Sequence, residues 1–250
     1  MRTRSAVLLA FAMLAGSAKA EMPAECLVAK PLLEENNHLP QAMAAIAARH
    51  LDVLVLGAGS SSLPGPGGAG MAYPARLKAA LQAELPGVAV TVTTDVTARR
   101  TAIQMAESLA GDLKRRKPDL IVWQTGTVDA MQGADPDLFN QALDRGIAAA
   151  KADGADMVLI NAQYSPRTES MIALGTYAEI MRWVAVQHAI PMLDRFAIMK
   201  LWGDLGTFDL YSATKALDTA GQVHNCIGQL LSTLIVEAAK PERPPLPGVQ

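Results

Sequence analysis

Three consecutive hydroxyls, Ser60-Ser61-Ser62, follow the apolar run Val53-Leu54-Val55-Leu56 and the small residues Gly57-Ala58-Gly59. A serine hydroxyl is a weak nucleophile until a base removes its proton, and an imidazole suits that role near neutral pH. Two other stretches carry compatible groups. Gln124-Thr125-Gly126-Thr127-Val128-Asp129 follows a second apolar run, and its glycine and hydroxyl residues offer backbone N–H groups to a developing oxyanion. Gly221-Gln222-Val223-His224-Asn225-Cys226 stands where a last helix begins, and His224 is its candidate base. Together these residue types could carry out acyl transfer through a serine. Asp129 could equally cap the helix or turn after its strand. Arg167, in Gln163-Tyr164-Ser165-Pro166-Arg167, could pair with a carboxylate or phosphate, or simply follow a turn closed by Pro166.

The elements that must position these groups follow from periodicity. An unbroken apolar run is the mark of a parallel strand buried on both faces. Such runs predict strands over 51–57, 120–125, 157–162 and 190–193, and the β-branched stretch after Pro86-Gly87 predicts another over 88–94. Alanine-rich or helically spaced segments between them predict helices over 41–50, 73–84, 101–116, 137–152, 172–188, 195–202 and 221–239. Residues 60–72 read as a Gly/Pro-rich loop, and Trp123, Trp183 and Trp202 as core or helix packing. Strands alternating with helices imply right-handed crossovers and a sheet covered on both faces. The expected architecture is a three-layer α/β/α sandwich with a five-stranded, parallel, flavodoxin-like sheet. Reacting groups in open sheets of this kind sit just beyond the carboxyl ends of the strands, where the serines and Gly126-Thr127 fall.

Composition excludes several alternatives. Net charge is −2 and the basic residues form no broad cluster, so no nucleic-acid surface is expected. Arg2 and Arg4, the apolar stretch 6–15 and the small-residue pattern Ser17-Ala18-Lys19-Ala20 read as a signal peptide over 1–20, with a periplasmic or secreted mature chain. No later segment has the roughly 20 apolar residues a membrane helix needs. Residues 21–239 form the expected domain, and 240–250, rich in proline, a disordered tail. Cys26 and Cys226 are the two cysteines, and in an oxidising compartment they are expected to be bridged. The four histidines show no metal-ligand spacing, so no metal or other cofactor is expected. Gly57-x-Gly59 does not extend to a dinucleotide fingerprint, because the third glycine would be Ser62.

The three stations, in order and spacing over nearly the whole mature chain, resemble the SGNH, or GDSL-type, hydrolase family. The resemblance implies that Gly59-Ser60-Ser61 matches that family's Gly-Asp-Ser block, making Ser61 the nucleophile; counting from the end of the strand points to Ser60 instead. It places Gly126-Thr127-Val128-Asp129 on the Gly-x-Asn-Asp block and His224 on the histidine of the last block. Three residues depart. Ser60 replaces an aspartate, Val128 replaces the oxyanion asparagine, and Gly221 stands where the triad aspartate belongs, with Asp218 one turn earlier able to orient His224 only if the chain bends. Gly59 and Gly126 would then help hold the oxyanion, and Thr127, Asp129 and Arg167 the substrate. The function implied is an esterase acting on a small-molecule or glycan ester, such as an O-acyl carbohydrate or a small lipid ester. The alternative is a catalytically impaired module of the same fold that binds envelope glycan or acyl groups.

Overall fold

The computed structural model describes residues 22–33, 37–211 and 217–241. The signal-peptide assignment and nearly all of the Pro-rich tail lie outside these residues. Five strands form one wholly parallel sheet: β1 (His50–Gly57), β2 (Ala89–Val96), β3 (Leu120–Gln124), β4 (Asp156–Ile160) and β5 (Met192–Leu193), in the order β2-β1-β3-β4-β5. This is the expected flavodoxin-like order. The long helices are α1 (Pro40–Ala47), α3 (Tyr73–Glu84), α4 (Ala102–Arg116), α6 (Pro136–Asp153), α8 (Leu174–His188), α9 (Arg195–Asp204) and α10 (Leu217–Ala238). Three short helices, α2 (Gly68–Met71), α5 (Thr127–Gln132) and α7 (Pro166–Glu169), occupy segments that read from sequence as loops. Each is too short to show a helical period.

The central strands β1 and β3 are buried along almost their whole length, which is why they read as continuous apolar runs. Helix starts follow from local chemistry. Thr101 and Gln104 form a capping box on α4, and Asp135 accepts the amides of Asp137 and Leu138 to cap α6. Trp123 and Trp202 belong to the core as expected, but Trp183 does not. It is 62% exposed on the outer face of α8.

The last helix departs from expectation in a way that matters for the site. α10 is already helical at Leu217, so His224 lies in its third turn rather than at its head. The helix packs directly on α3 at Gly228, where an added Cβ would meet Leu77 N at 2.8 Å and Arg76 C at 3.0 Å. Only a residue without a Cβ permits that approach. Cys226, on the same helix, is bridged to Cys26 with Cα atoms 4.8 Å apart, the pairing the sequence leads one to expect. The bridge fastens the segment before α1 to α10 across 200 residues of sequence.

Two outcomes follow. Gly228→Val should destabilise the fold by about 1–3 kcal/mol through overpacking against backbone that cannot yield, read as a lower urea midpoint with an unchanged slope. Cys26→Ser should cost about 2–4 kcal/mol by releasing the closed loop, and a midpoint equal to wild type would show that the bridge does not form.

Candidate active site

Gly57 ends β1, and a single 3₁₀ turn follows over Gly59–Ser61, closed by Ser61 N–H donating to Ala58 O at 2.9 Å and Ser62 N–H to Gly59 O at 3.1 Å. The turn sends neighbouring hydroxyls to different places. Ser61 folds back beneath the turn and is 2% exposed, and a Cβ on Gly57 would lie 2.2 Å from its Oγ. The strand therefore has to end in glycine for Ser61 to tuck in. Ser60 instead lines a cavity of about 470 Å³ beyond the carboxyl edge of the sheet, together with Gly59, Gln163, Asp209, Leu210 and His224.

The two hydroxyls share one acceptor. Ser61 Oγ donates to Gln124 Oε1 at 2.5 Å and Ser60 Oγ donates to the same oxygen at 2.8 Å. Ser61 Oγ is also 3.1 Å from the Tyr73 hydroxyl. With its own proton committed to Gln124, Ser61 can only accept there, so Tyr73 is the donor. Burial pushes the Tyr73 phenol up to about 12, which keeps that proton in place. Gln124 Nε2 is buried with no hydrogen-bond partner among the described residues.

His224 is 4% exposed and lines the cavity. Its Nδ1 accepts the Tyr73 backbone N–H at 3.0 Å, so the neutral ring carries its proton on Nε2. Burial, with the nearby positive charge of Arg195, pulls the imidazole down to about 3. Asp218 does not orient it: this carboxylate is exposed in the first described turn of α10, and the nitrogen it would hold is taken by Tyr73.

The loop after β3 also differs from expectation. The Gly126 N–H donates to Asp129 Oδ2 at 3.2 Å and is spent within the loop. Asp129 is fully buried, accepting in addition from Thr125 Oγ1 at 3.0 Å and from the Ala102 amide at 2.9 Å. Burial raises its carboxyl despite these donors. It joins the loop to the start of α4 and does not face the cavity, which is the capping alternative. Thr127 Oγ1 accepts the Gln163 N–H at 2.9 Å, and Val128 packs half-buried against the core. Arg167 is exposed on α7 and lines neither this cavity nor the adjoining one of about 360 Å³ that shares Gln163 and Ser165.

The cation of the site is Arg195, the first residue of α9. Its Nη1 donates to the Ser60 carbonyl oxygen at 2.9 Å and its Nη2 to Gln163 Oε1 at 3.3 Å, with the guanidinium 5.9 Å from the centre of the Tyr73 ring. Asp194 fixes this helix end. It accepts the Ala197 amide at 3.0 Å, pairs with Arg182 through Nε at 2.6 Å, and accepts from Asn161 Nδ2 at 2.7 Å. Burial alone would raise the Asp194 carboxyl, but Arg182 and these donors hold it below the ordinary range. Asn161 Oδ1 accepts the Phe196 N–H at 2.8 Å and completes the clamp.

Sequence reasoning does not single out Tyr73, Gln124, Asn161 or Arg195. Gln124, Asn161 and Arg195 do carry a signal: each is a polar residue at or just after the carboxyl end of an apolar strand.

The sequence matches the profile of the Non-GDSL lipase-like family over residues 25–241. No curated protein sequence matches it significantly. Among solved structures, the lipase/acylhydrolase from Enterococcus faecalis superposes with a TM-score of 0.60 at 18% identity, covering 78% of this chain and 100% of that one. TesA gives 0.57 at 23% identity, with 73% and 98% covered. A variant of Axe2, an acetyl xylan esterase from Geobacillus stearothermophilus, gives 0.58 at 18% identity, with 74% and 94% covered. These likenesses are of fold, and the family match spans the whole described domain. The chain thus belongs to the Non-GDSL lipase-like family.

Proposed function

We propose that this protein is an exported esterase that cleaves a short acyl ester with Ser60 as the attacking hydroxyl. The observation that carries the reading is the division of labour in the Gly59–Ser61 turn. Ser60 lines the cavity that His224 also lines, while Ser61, 2% exposed, lies beneath the turn and borders a separate cavity of about 240 Å³ without His224. Ser60 Oγ attacks the acyl carbon, its proton passes to His224, and His224 returns it to the departing alkoxide as the ester bond breaks. Water then attacks the acyl-Ser60 ester, again through His224, releasing the acid and restoring the hydroxyl. The accepting atom is Nδ1, so Tyr73 N–H has to yield that lone pair during turnover. The amides of Gly59 and Ser60, which take no part in the hydrogen bonds of the turn, are the nearest backbone donors for the oxyanion.

Apolar walls from Leu63, Met199, Leu210 and Val223 suit a small acyl group, and Gln163, Asp209 and Thr219 suit a polar alcohol such as a sugar. The acetyl ester named for the Axe2 neighbour is of this class. Export rests on the N-terminal segment and agrees with the Cys26–Cys226 bridge. The Tyr73–His224 hydrogen bond favours a second reading, a binding module that retains an ester or glycan without turnover.

Fluorophosphonate labelling with peptide mapping decides between them. Ser60→Ala should abolish labelling and lower kcat/KM by about 10³-fold or more. Ser61→Ala should still label, at a cost of about 1–3 kcal/mol in stability, since Gln124 and Tyr73 each lose a buried partner. Probe found on Ser61 would reverse the assignment, and ligand retention with neither labelling nor turnover would favour the binding module.

The pH response separates this imidazole from an ordinary one. Its neutral form is the base, and with the ring held down to about 3 the plot of kcat/KM should show no fall near 6.5 as pH is lowered from 8 to 5. Stability should behave oppositely. Below 6.5 the unfolded chain binds a proton that the folded chain refuses. Each further pH unit then removes up to about 1.4 kcal/mol, a slope that His224→Asn should abolish in denaturant titrations.

A further inference from the structure

We propose that Arg195 is a positioning residue of the hydrolytic site: its buried guanidinium fixes the Ser60 carbonyl and holds the cavity floor at positive potential, ready for the negative charge that an ester oxygen acquires under attack. The proposal rests on the esterase reading and adds to it a cation supplied by α9.

A guanidinium removed from water is stable only when paired and fully hydrogen-bonded. Arg195 is fully buried, yet no carboxylate among the described residues lies within ion-pair distance of it. The adjacent carboxylate, Asp194, is committed to Arg182. Among the described residues Arg195 donates to neutral oxygens, the Ser60 carbonyl and Gln163 Oε1, and its Nε finds no partner. The ionisable groups around it are Tyr73 and His224, both neutral at ordinary pH. Burial pulls even the guanidinium down to about 10, which still leaves it charged at neutral pH. A fold that needed only to fill this space would do better with an apolar side chain.

The direction of the field matches the chemistry. The charge of Arg195 works against an imidazolium at His224. The same charge works in favour of any negative charge arriving at Ser60. Buried as it is, such a fixed cation acts with little screening and needs no reorganisation during the reaction. Its position is over-determined: the N-terminus of α9 is clamped by Asp194, Asn161 and Arg182 at once.

The test compares Arg195→Met and Arg195→Lys with wild type on p-nitrophenyl acetate, with fluorophosphonate labelling, thermal unfolding and NMR titration of His224. Arg195→Met should lower kcat and the labelling rate by about 10²–10³-fold, with KM within about threefold, since it removes stabilisation felt only as charge develops. Its melting temperature should stay level or rise, because an unpaired buried charge has gone. The His224 titration should move upward. Arg195→Lys, which keeps the charge but loses the fork, should recover at least tenfold of the lost rate. Arg195→Met with activity within threefold of wild type and an unmoved His224 titration would overturn the proposal. So would equal losses in both variants accompanied by lower melting temperatures, the mark of a purely structural residue. If wild type neither labels nor hydrolyses, the esterase reading fails on its own; the His224 titration then decides whether the floor carries the charge, upholding it if raised in Arg195→Met and overturning it if unmoved.

Discussion

Several polar side chains are buried at the carboxyl edge of the sheet, where they serve as one another's hydrogen-bond partners. Gln124 Oε1 is their meeting point. It receives both serine protons, ties the end of β1 to the end of β3, and leaves Ser61 free only to accept from Tyr73. Tyr73 in turn fixes His224 through its backbone amide, and α10 reaches that amide because Gly228 lets it lie against α3. Arg195 closes the circuit from the other side by holding the Ser60 carbonyl. Removing one of the neutral members, Ser61, Gln124 or Tyr73, leaves a buried partner unmatched, a larger penalty than the bond itself is worth. The site is therefore a property of the network more than of any catalytic pair within it.

The fold is legible because its signal is collective. Five strand signals, most of them apolar runs, separated by helices of ordinary length admit few topologies, and the sheet order, the long helices and the Cys26–Cys226 bridge all agree with the sequence reading. The short helices α2, α5 and α7 escape it because one turn or so carries no period. The position of His224 within α10 escapes it because Gly221 reads as a helix start, although a glycine inside a helix costs only about 1 kcal/mol and tertiary packing overrides that.

The site is legible to the level of the loop and not of the atom. Matching blocks place the serines, the Gly126 loop and His224 at one edge of the sheet, but which hydroxyl faces the cavity depends on a 3₁₀ turn that neighbouring serines cannot reveal in sequence. Asp129 illustrates the same limit. It sits on a block position with a functional expectation, yet its carboxylate is consumed by three donors that join its loop to α4. Sequence points to Arg167 for the cation, an exposed residue beside a proline turn. Arg195 is the harder one to find, because a buried arginine at a helix start looks like packing until its partners are seen.

The departures from the SGNH pattern share an electrostatic sense. An acid behind a histidine stabilises the imidazolium that forms when serine loses its proton. Here the nitrogen such an acid would hold receives the Tyr73 amide proton, and the charge of Arg195 opposes the imidazolium. That arrangement makes the protonated histidine costly and a negative oxygen at Ser60 less so than it would otherwise be. Chemistry in such a site has to rely less on a strong base and more on stabilising the oxyanion, which favours esters with good leaving groups over amides. A ligand carrying partial or full negative charge on its carbonyl or acyl oxygen gains from the same field without reacting. The hydrolytic and ligand-retaining readings therefore share one physical feature, the buried charge of Arg195 beside Ser60, and differ in whether Tyr73 releases His224 to an ester bound there.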